Sequence, residues 1–134
     1  MNAQSGFLLA LVILVSLSAS GAETPATPSL TQRIGIEEYE KLRANTNAVI
    51  LDVRSKAEFE KGHIPGAINI DINSARFQDG ISALDKSKPY LVNCAVGMRS
   101  SRACKRMEAA GFTNLFDLAP GFEGWNKAGK PVEK

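Results

Sequence analysis

The sequence predicts an α/β fold with a mainly parallel central sheet. Short apolar segments rich in β-branched residues alternate along the chain with segments that carry helical spacing or helix-capping signals. Such apolar segments are typical of strands buried on both faces, as the strands of a parallel sheet are. The 134 residues are enough for one domain, and all 16 basic and 14 acidic side chains lie after residue 22. We therefore expect a single charged domain behind an uncharged N-terminal segment.

The first predicted elements occupy residues 36–61. Apolar positions recur at helical spacing over residues 36–43, where acidic residues precede basic ones as the helix dipole favours. Residues 48–53 (AVILDV) predict a buried strand. The next helix, residues 55–61, opens with Ser55 and has Glu58 three positions later, which is a capping box, and Gly62 ends it.

The remaining elements continue the alternation of strand and helix. Pro89 precedes a buried strand, and Gly111 stops the longest predicted helix. The predicted elements are a short strand at 67–70, a weak helix at 74–84, a buried strand at 90–93, a helix at 100–110 and a strand at 114–118.

The N-terminal segment, residues 1–22, has the features of an export signal. Residues 8–15 form an apolar core, and Ser20, Gly21 and Ala22 offer a small-residue cleavage site. The apolar segment is shorter than the roughly 20 residues that a spanning helix needs. The first six residues hold no Lys or Arg, so an uncleaved anchor and a buried helix stay open as alternatives. We expect a periplasmic or secreted protein, with no membrane contact beyond this leader.

A linker is predicted between the leader and the domain. Residues 23–32 (ETPATPSLTQ) hold two prolines, which disfavour helix at their own position and at the residue before. The predicted domain organisation is therefore a signal at 1–22, an extended linker at 23–32 and one domain at 33–132.

Composition excludes several classes of function. The net charge is only +2, and no basic stretch is interleaved with aromatic residues, so we expect no nucleic-acid partner. One histidine and two cysteines are too few for a four-ligand zinc site, and no metal or cofactor is implied.

The segment CAVGMR (94–99) joins a predicted strand to a predicted helix and carries the candidate chemistry. Ligands of parallel sheets bind beyond the carboxyl ends of the strands, which is where Cys94 falls. Gly97 frees one position of a tight loop from Cβ restriction, so that backbone amides can point inward as an anion-binding nest above a helix N-terminus. These amides, the helix dipole and the basic residues from Arg99 onward favour the thiolate. We predict that the pKa of Cys94 lies below about 8.5 and that Cys94 is a nucleophile rather than an inert buried cysteine.

Three segments resemble the signatures of a single rhodanese domain. They are LDVRSKAEFEKGHIPGAINI (51–70), CAVGMRS (94–100) and LAPGFEGWNKAGKPV (118–132), and they occur in the family's order. The likeness covers about 100 residues, essentially everything after the predicted linker. Together with the export signal, it is most similar to the small periplasmic rhodaneses of the phage-shock-protein-E type.

The resemblance implies both a fold and an enzyme. The fold is a central five-stranded, mainly parallel sheet flanked by short helices, and the enzyme is a thiosulfate sulfurtransferase that works through a persulfide. Cys94 would attack the outer sulfur of thiosulfate, release sulfite and pass the sulfur to cyanide or a thiol. The loop amides would hold the anion and Arg99 would neutralise charge. The substrate-binding residues implied are Ala95, Val96, Gly97, Met98 and Arg99.

Two departures from relatives shape the functional prediction. The related Cdc25-type phosphatases have five residues between Cys and Arg, whereas this loop has four, which fits a phosphoryl group poorly. The loop residues Ala95, Val96 and Met98 are uncharged and mostly apolar, where many rhodaneses carry a cation. We therefore expect modest turnover on cyanide and a larger thiol or a protein thiol as acceptor. A sulfur-carrier module with little turnover and, less favoured, a phosphatase remain the alternatives.

Other distinctive residues are given mainly structural interpretations. His63 is predicted to form a turn, with a place in the pocket wall as the alternative, and Trp125 to anchor the C-terminal segment. Cys104 is predicted to fill the core, with a resolving thiol or a bridge to Cys94 left open.

The charged residues fall into two groups: a local ion-pair and capping cluster of Asp52, Arg54 and Glu58, and a solvated stripe of Arg102 and Arg106. In the family the last motif usually has paired glycines, where this chain has Pro120-Gly121.

Overall fold

Strands from across the domain form one parallel sheet in the computed structural model, which describes residues 21, 28–44 and 47–134. Within these residues the strands are β1 (Thr31–Ile34), β2 (Val49–Asp52), β3 (Ile68–Asn69), β4 (Tyr90–Asn93) and β5 (Leu115–Leu118). The helices there are α1 (Ile36–Arg43), α2 (Lys56–Lys61), α3 (Phe77–Ser82), α4 (Met98–Ala109) and α5 (Gly121–Lys127).

The strand order is β1-β5-β4-β2-β3, and every pair is parallel. The strand β4 lies at the centre, between β5 and β2, and all four of its residues are buried. Because parallel strands end at the same edge, the loops after β2, β4 and β5 converge there. This convergence positions the candidate site.

Buried side chains form two clusters, as expected for a sheet covered on both faces. Successive residues of a strand point to opposite faces, and accordingly Ile50 and Leu51 belong to different clusters. One cluster includes Met107 of α4, and the other includes Trp125 of α5. The predicted α/β class with a five-stranded parallel sheet is confirmed.

The predicted helix at 74–84 is shorter in the structure, at 77–82, and several strands are shorter by one or two residues. Three further differences bear on the candidate site. The strand β1 begins at Thr31, inside the segment expected to be linker, and pairs with β5 from Thr31 to Ile34. The helix α4 begins at Met98 rather than at residue 100, so Met98 and Arg99 lie in its first turn. The helix α5 was not predicted, because its sequence GFEGWNK holds two glycines, which lower helix propensity. Its formation depends instead on burying Trp125.

The predicted export signal and most of the predicted linker lie outside the described residues. In the part of the chain that the structure covers, no helix combines the length and apolar character required to cross a bilayer.

Candidate active site

The candidate nucleophile Cys94 directly follows the central strand β4, and its loop turns into α4 within four residues. The residue has no solvent-exposed surface.

The amide of Gly97 donates a hydrogen bond to Cys94 Sγ at a distance of 3.1 Å. Gly97 also adopts a left-handed backbone conformation, with φ of +88°, as the chain turns into α4. A side chain there would also collide with its surroundings, because a Cβ atom would lie 2.3 Å from the carbonyl oxygen of Ala119. Glycine is therefore required at position 97 for two independent reasons: the positive φ and the lack of space for a Cβ atom.

Ser100 is a second partner of the nucleophile. Its hydroxyl oxygen lies 3.4 Å from Cys94 Sγ, and the residue is fully buried in the first turn of α4. Burial by itself raises the pKa of Cys94, but hydrogen bonding by the Ser100 hydroxyl and by the amides of Ser100, Val96 and Gly97 outweighs it. The pKa of Cys94 is consequently lowered, in the predicted direction. Ser100 was not among the predicted site residues, although it closes the CAVGMRS motif.

The carbonyl groups of the loop are bound by the N-terminus of α5. The amide of Phe122 donates to the Cys94 carbonyl at 2.7 Å, and the amide of Glu123 donates to the Ala95 carbonyl at 3.0 Å. Gly121 makes this approach possible, because a Cβ there would lie 2.3 Å from the Ala95 carbonyl oxygen. With its carbonyls held on the outside, the loop keeps its amides available to Cys94 and to an anion.

Arg99, which is expected from the resemblance to neutralise charge at the loop, is itself paired with a carboxylate. Its guanidinium makes a bidentate ion pair with the Glu58 carboxylate, with N–O distances of 2.7 and 2.9 Å. Glu58 simultaneously completes the predicted capping box with Ser55. The carboxylate thus neutralises much of the charge that Arg99 brings to the site, and hydrogen bonding to Arg99 lowers the pKa of Glu58 to about 2.

The expected cluster of Asp52, Arg54 and Glu58 is therefore divided. Arg54 pairs with Asp52 at 2.8 Å, and both residues are buried. The Arg54 guanidinium also donates to the Gly62 carbonyl, and it lies over the ring of Phe122. These contacts support the structural interpretation of Asp52 and Arg54, whereas Glu58 belongs to the candidate site.

Arg33 supports the loop from the neighbouring side and was missed by the sequence analysis. Its guanidinium donates to the Gly97 carbonyl at 3.1 Å and binds the Asp117 carboxylate at 2.7 Å. Asp117 is buried, and burial raises its pKa. No signal in the sequence indicates this contact, because Arg33 and Gly97 are 64 positions apart and meet only through the sheet.

The remaining loop residues form an apolar rim. The side chains of Val96 and Met98 are exposed, with relative accessibilities of 53% and 75%. The structure thus brings the predicted residues 95–99 around Cys94, but only the amides of Val96 and Gly97 among them hydrogen-bond its sulfur. The predicted role of residues 95–99 in substrate binding stays a prediction.

The other residues singled out in the sequence have structural environments. Cys104 and Cys94 are both free thiols, and burial raises the pKa of Cys104 strongly. His63 stacks on Phe59, with its Nδ1 atom 2.9 Å from the Phe59 carbonyl oxygen. Trp125 is fully buried and donates to the Pro131 carbonyl. Within the described ranges, no three His, Cys, Asp or Glu side chains are grouped as metal ligands would be.

The family model of the rhodanese-like domain matches residues 36–128. The chain belongs to the rhodanese family. The match takes in the Cys94 loop, Glu58 and the N-terminus of α5, and it leaves Arg33 just outside.

Several curated relatives share this domain. The protein is similar to thiosulfate sulfurtransferase GlpE of Pseudomonas aeruginosa, with 37% identity over 94 residues that cover 70% of this chain and 83% of that protein. GlpE of Ectopseudomonas mendocina is 34% identical over 94 residues, covering 70% of this chain and 84% of its own. The putative sulfur carrier protein YrkF of Bacillus subtilis is 28% identical over 110 residues, covering 81% of this chain and 58% of that protein.

Solved structures agree on the fold. The rhodanese-like domain of the Anabaena protein Alr3790 superposes with a TM-score of 0.67 at 29% identity, covering 75% of this chain and 77% of that one. A rhodanese-like domain protein of Staphylococcus aureus gives a TM-score of 0.65 at 27% identity, covering 77% of this chain and 99% of that one.

Proposed function

We propose that this rhodanese domain is a thiosulfate sulfurtransferase that carries sulfur as a persulfide on Cys94. The observation that carries the proposal is the hydrogen bonding of the Cys94 sulfur by the Gly97 amide and the Ser100 hydroxyl. These groups stabilise a thiolate, which is the nucleophilic form of cysteine. The GlpE relatives, named as thiosulfate sulfurtransferases, support thiosulfate as the donor.

The first half-reaction loads the sulfur. The Cys94 thiolate attacks the outer sulfur of thiosulfate, a new S–S bond forms, and the bond between the two thiosulfate sulfurs breaks. Its electron pair leaves with sulfite, and Cys94 is left as a persulfide anion. No proton is transferred, so the step needs no general base, in keeping with the structural environment of His63.

The second half-reaction transfers the sulfur from Cys94 to an acceptor. A thiolate or cyanide attacks the outer sulfur of the persulfide, the S–S bond to Cys94 breaks, and the Cys94 thiolate is restored. During both steps the negative charge lies next to the loop amides, which act as fixed donors. In this proposal residues 95–99 bind the anionic donor through those amides, and Arg99 contributes a charge moderated by Glu58.

A sulfur-carrier function is the second candidate. YrkF, which is named as a putative sulfur carrier and is 28% identical over 110 residues, supports it. The two functions share the persulfide and differ in whether free thiosulfate loads it repeatedly.

The decisive experiment is intact-mass analysis of the protein before and after excess thiosulfate, with Cys94→Ser and Cys104→Ser in parallel. We expect a gain of one sulfur atom in the wild type and in Cys104→Ser, and none in Cys94→Ser. Steady-state release of sulfite with cyanide or a dithiol as acceptor then distinguishes an enzyme from a carrier that loads once. A reactive Cys94 without any sulfur gain contradicts thiosulfate as the donor.

We also propose that residues 1–22 direct export, so that the domain acts outside the cytoplasm. Fractionation of cells that express the full chain, with the N-terminus of the exported form sequenced, tests this. A new N-terminus at Glu23 in the exported fraction is expected, and retention of the full-length chain in the cytoplasm contradicts the proposal.

A further inference from the structure

We propose that α4 carries a docking surface for the sulfur acceptor, and that this acceptor is a protein whose reactive cysteine lies among acidic residues. The inference rests on the proposed function, because it names the acceptor of the same site. The α4 surface is defined as Val96, Met98, Arg102 and Lys105, together with residues 73–75 that face the helix.

The α4 surface begins at the rim of the Cys94 loop. Met98, Arg102 and Lys105 are spaced by four and three positions, which places them on one face of the helix. All three side chains are exposed. At 1.5 Å of rise per residue, the row of Met98, Arg102 and Lys105 extends about 10 Å from the loop. An acceptor that reaches Cys94 from this side contacts the apolar rim first and the two cations next.

A groove lies beside the exposed face of α4 that carries Arg102 and Lys105. It is an open depression of about 630 Å³ between α4 and the segment that follows β3. Arg106 fixes one wall, because its guanidinium donates to the Ile72 carbonyl at 3.3 Å and lies over the ring of Phe77. The groove is far larger than thiosulfate or cyanide needs. The residues that line it are Ile72, Asn73, Ser74, Ala75, Arg102, Lys105 and Arg106.

The charged residues that line the groove, Arg102, Lys105 and Arg106, are all basic, and the carboxylate of Asp71, which precedes the lining segment, accepts a hydrogen bond from the Asn73 amide. None of its lining residues is acidic, and neither Arg102 nor Lys105 makes an ion pair with any residue that the structure describes. The nearest acidic residue along α4, Glu108, is bound instead by Ser29 and Thr31. Arg102 and Lys105 are therefore available to carboxylates of another molecule.

The positive charges of the α4 surface indicate which kind of sulfur acceptor binds there. A small donor held by the loop amides is only attracted at a distance by cations one and two helical turns away, whereas a larger acceptor can pair with them directly through its own carboxylates. A protein that presents its cysteine to Cys94 covers the apolar rim and brings its own acidic side chains over Arg102 and Lys105. Such complementary charges mainly accelerate association and select the partner.

The test compares two synthetic peptide acceptors with the same central cysteine, one flanked by glutamates and one by lysines. The protein is loaded with thiosulfate, freed of donor, and the rate of sulfur transfer to each peptide is measured at low and moderate salt. At low salt we expect transfer to the acidic peptide to be about tenfold faster, with the advantage shrinking as salt is added. Equal rates for the two peptides overturn the proposal.

Two double variants locate the effect. Arg102→Glu/Lys105→Glu is expected to abolish the preference for the acidic peptide and to affect transfer to a small neutral thiol much less. Lys86→Glu/Lys88→Glu makes the same change in charge before β4, at the opposite edge of the sheet, and is expected to keep the preference. If both variants lose the preference equally, only net charge matters and the docking surface is refuted.

A binding measurement separates this inference from the proposed function. A fluorescent acidic peptide with serine in place of its cysteine is titrated against the unloaded protein and followed by anisotropy. Tighter binding to the wild type than to Arg102→Glu/Lys105→Glu supports docking even if thiosulfate fails to load Cys94, a failure that would contradict only the proposed donor. Native-mass evidence that the α4 surface instead pairs two copies of this chain overturns the inference.

Discussion

The guanidinium of Arg99 and the carboxylate of Glu58 are joined by two parallel hydrogen bonds, at 2.7 and 2.9 Å. Arg99 lies in the first turn of α4 and Glu58 in the first turn of α2, 41 positions earlier. The pair connects a helix cap to the loop of the nucleophile. It also sets how much positive charge Cys94 experiences, because the charges of Arg99 and Cys94 interact.

Removing the Glu58 charge is expected to lower the pKa of Cys94. In Glu58→Gln the amide can still accept a hydrogen bond from Arg99, but the guanidinium charge is no longer neutralised. Because Arg99 is partly exposed and its interaction with Cys94 is screened by solvent, we expect a fall of only about a few tenths of a pKa unit. The pH dependence of the rate of iodoacetamide alkylation measures the pKa of Cys94. Glu60→Gln on the same helix is the matched control and leaves the pKa unchanged; a rise in Glu58→Gln contradicts the argument.

Removing the Ser100 hydroxyl is expected to raise the pKa of Cys94. Ser100→Ala deletes a donor that stabilises the thiolate, and hydrogen bonds to charged groups contribute about 1.5–3 kcal/mol, so we expect a rise of about one to two pKa units. Thiolate absorbance in the ultraviolet follows the titration, and Cys104 does not interfere because burial raises its pKa. Ser101→Ala provides the control at the next position. An unchanged pKa in Ser100→Ala would remove Ser100 from the site.

The Glu58 pair makes the stability of the fold depend on pH in the acid range. Because the pKa of Glu58 falls from 4.5 to about 2 on folding, its contribution is present above pH 4.5 and is lost as the pH falls toward 2. The pair is partly exposed, so we expect on the order of 1 kcal/mol rather than the full value of the shift. Urea unfolding should show Glu58→Gln less stable than the wild type at pH 7 and equally stable near pH 2. A difference that persists in acid assigns the effect to packing instead.

A side chain at position 97 is expected to damage both the fold and the loading of sulfur. Gly97→Ala meets a disfavoured φ and a close contact with Ala119, whereas Gly66→Ala meets only the disfavoured φ of +83°, with open space around it. Strain alone costs about 1–2 kcal/mol, and we expect Gly97→Ala to cost at least about 2 kcal/mol more. Urea unfolding and persulfide loading by mass spectrometry measure the two effects. Equal losses in the two variants would show that the close contact is relieved cheaply.

Local sequence signals predicted the elements that depend on local physics. The helix at residues 36–43 has the predicted bounds, and the capping box of Ser55 and Glu58 is formed. The buried strand at residues 90–93 also has the predicted bounds. In contrast, β1 has the sequence TQRI, with one apolar residue of four, and it becomes a strand because β5 offers its edge. Such an edge strand has too little apolar periodicity to be recognised alone.

The sequence by itself determined the fold class, the position of the candidate nucleophile and the need for glycine in its loop. These follow from short-range rules: buried strands are apolar, a chain that turns within a few residues needs glycine, and parallel strands present their carboxyl ends together. Only the tertiary structure decided that Arg99 is neutralised by Glu58, that Arg33 supports the Gly97 carbonyl, and that α5 binds the loop carbonyls. The partners in each contact lie far apart in the chain and meet because of the strand order, which no local pattern encodes.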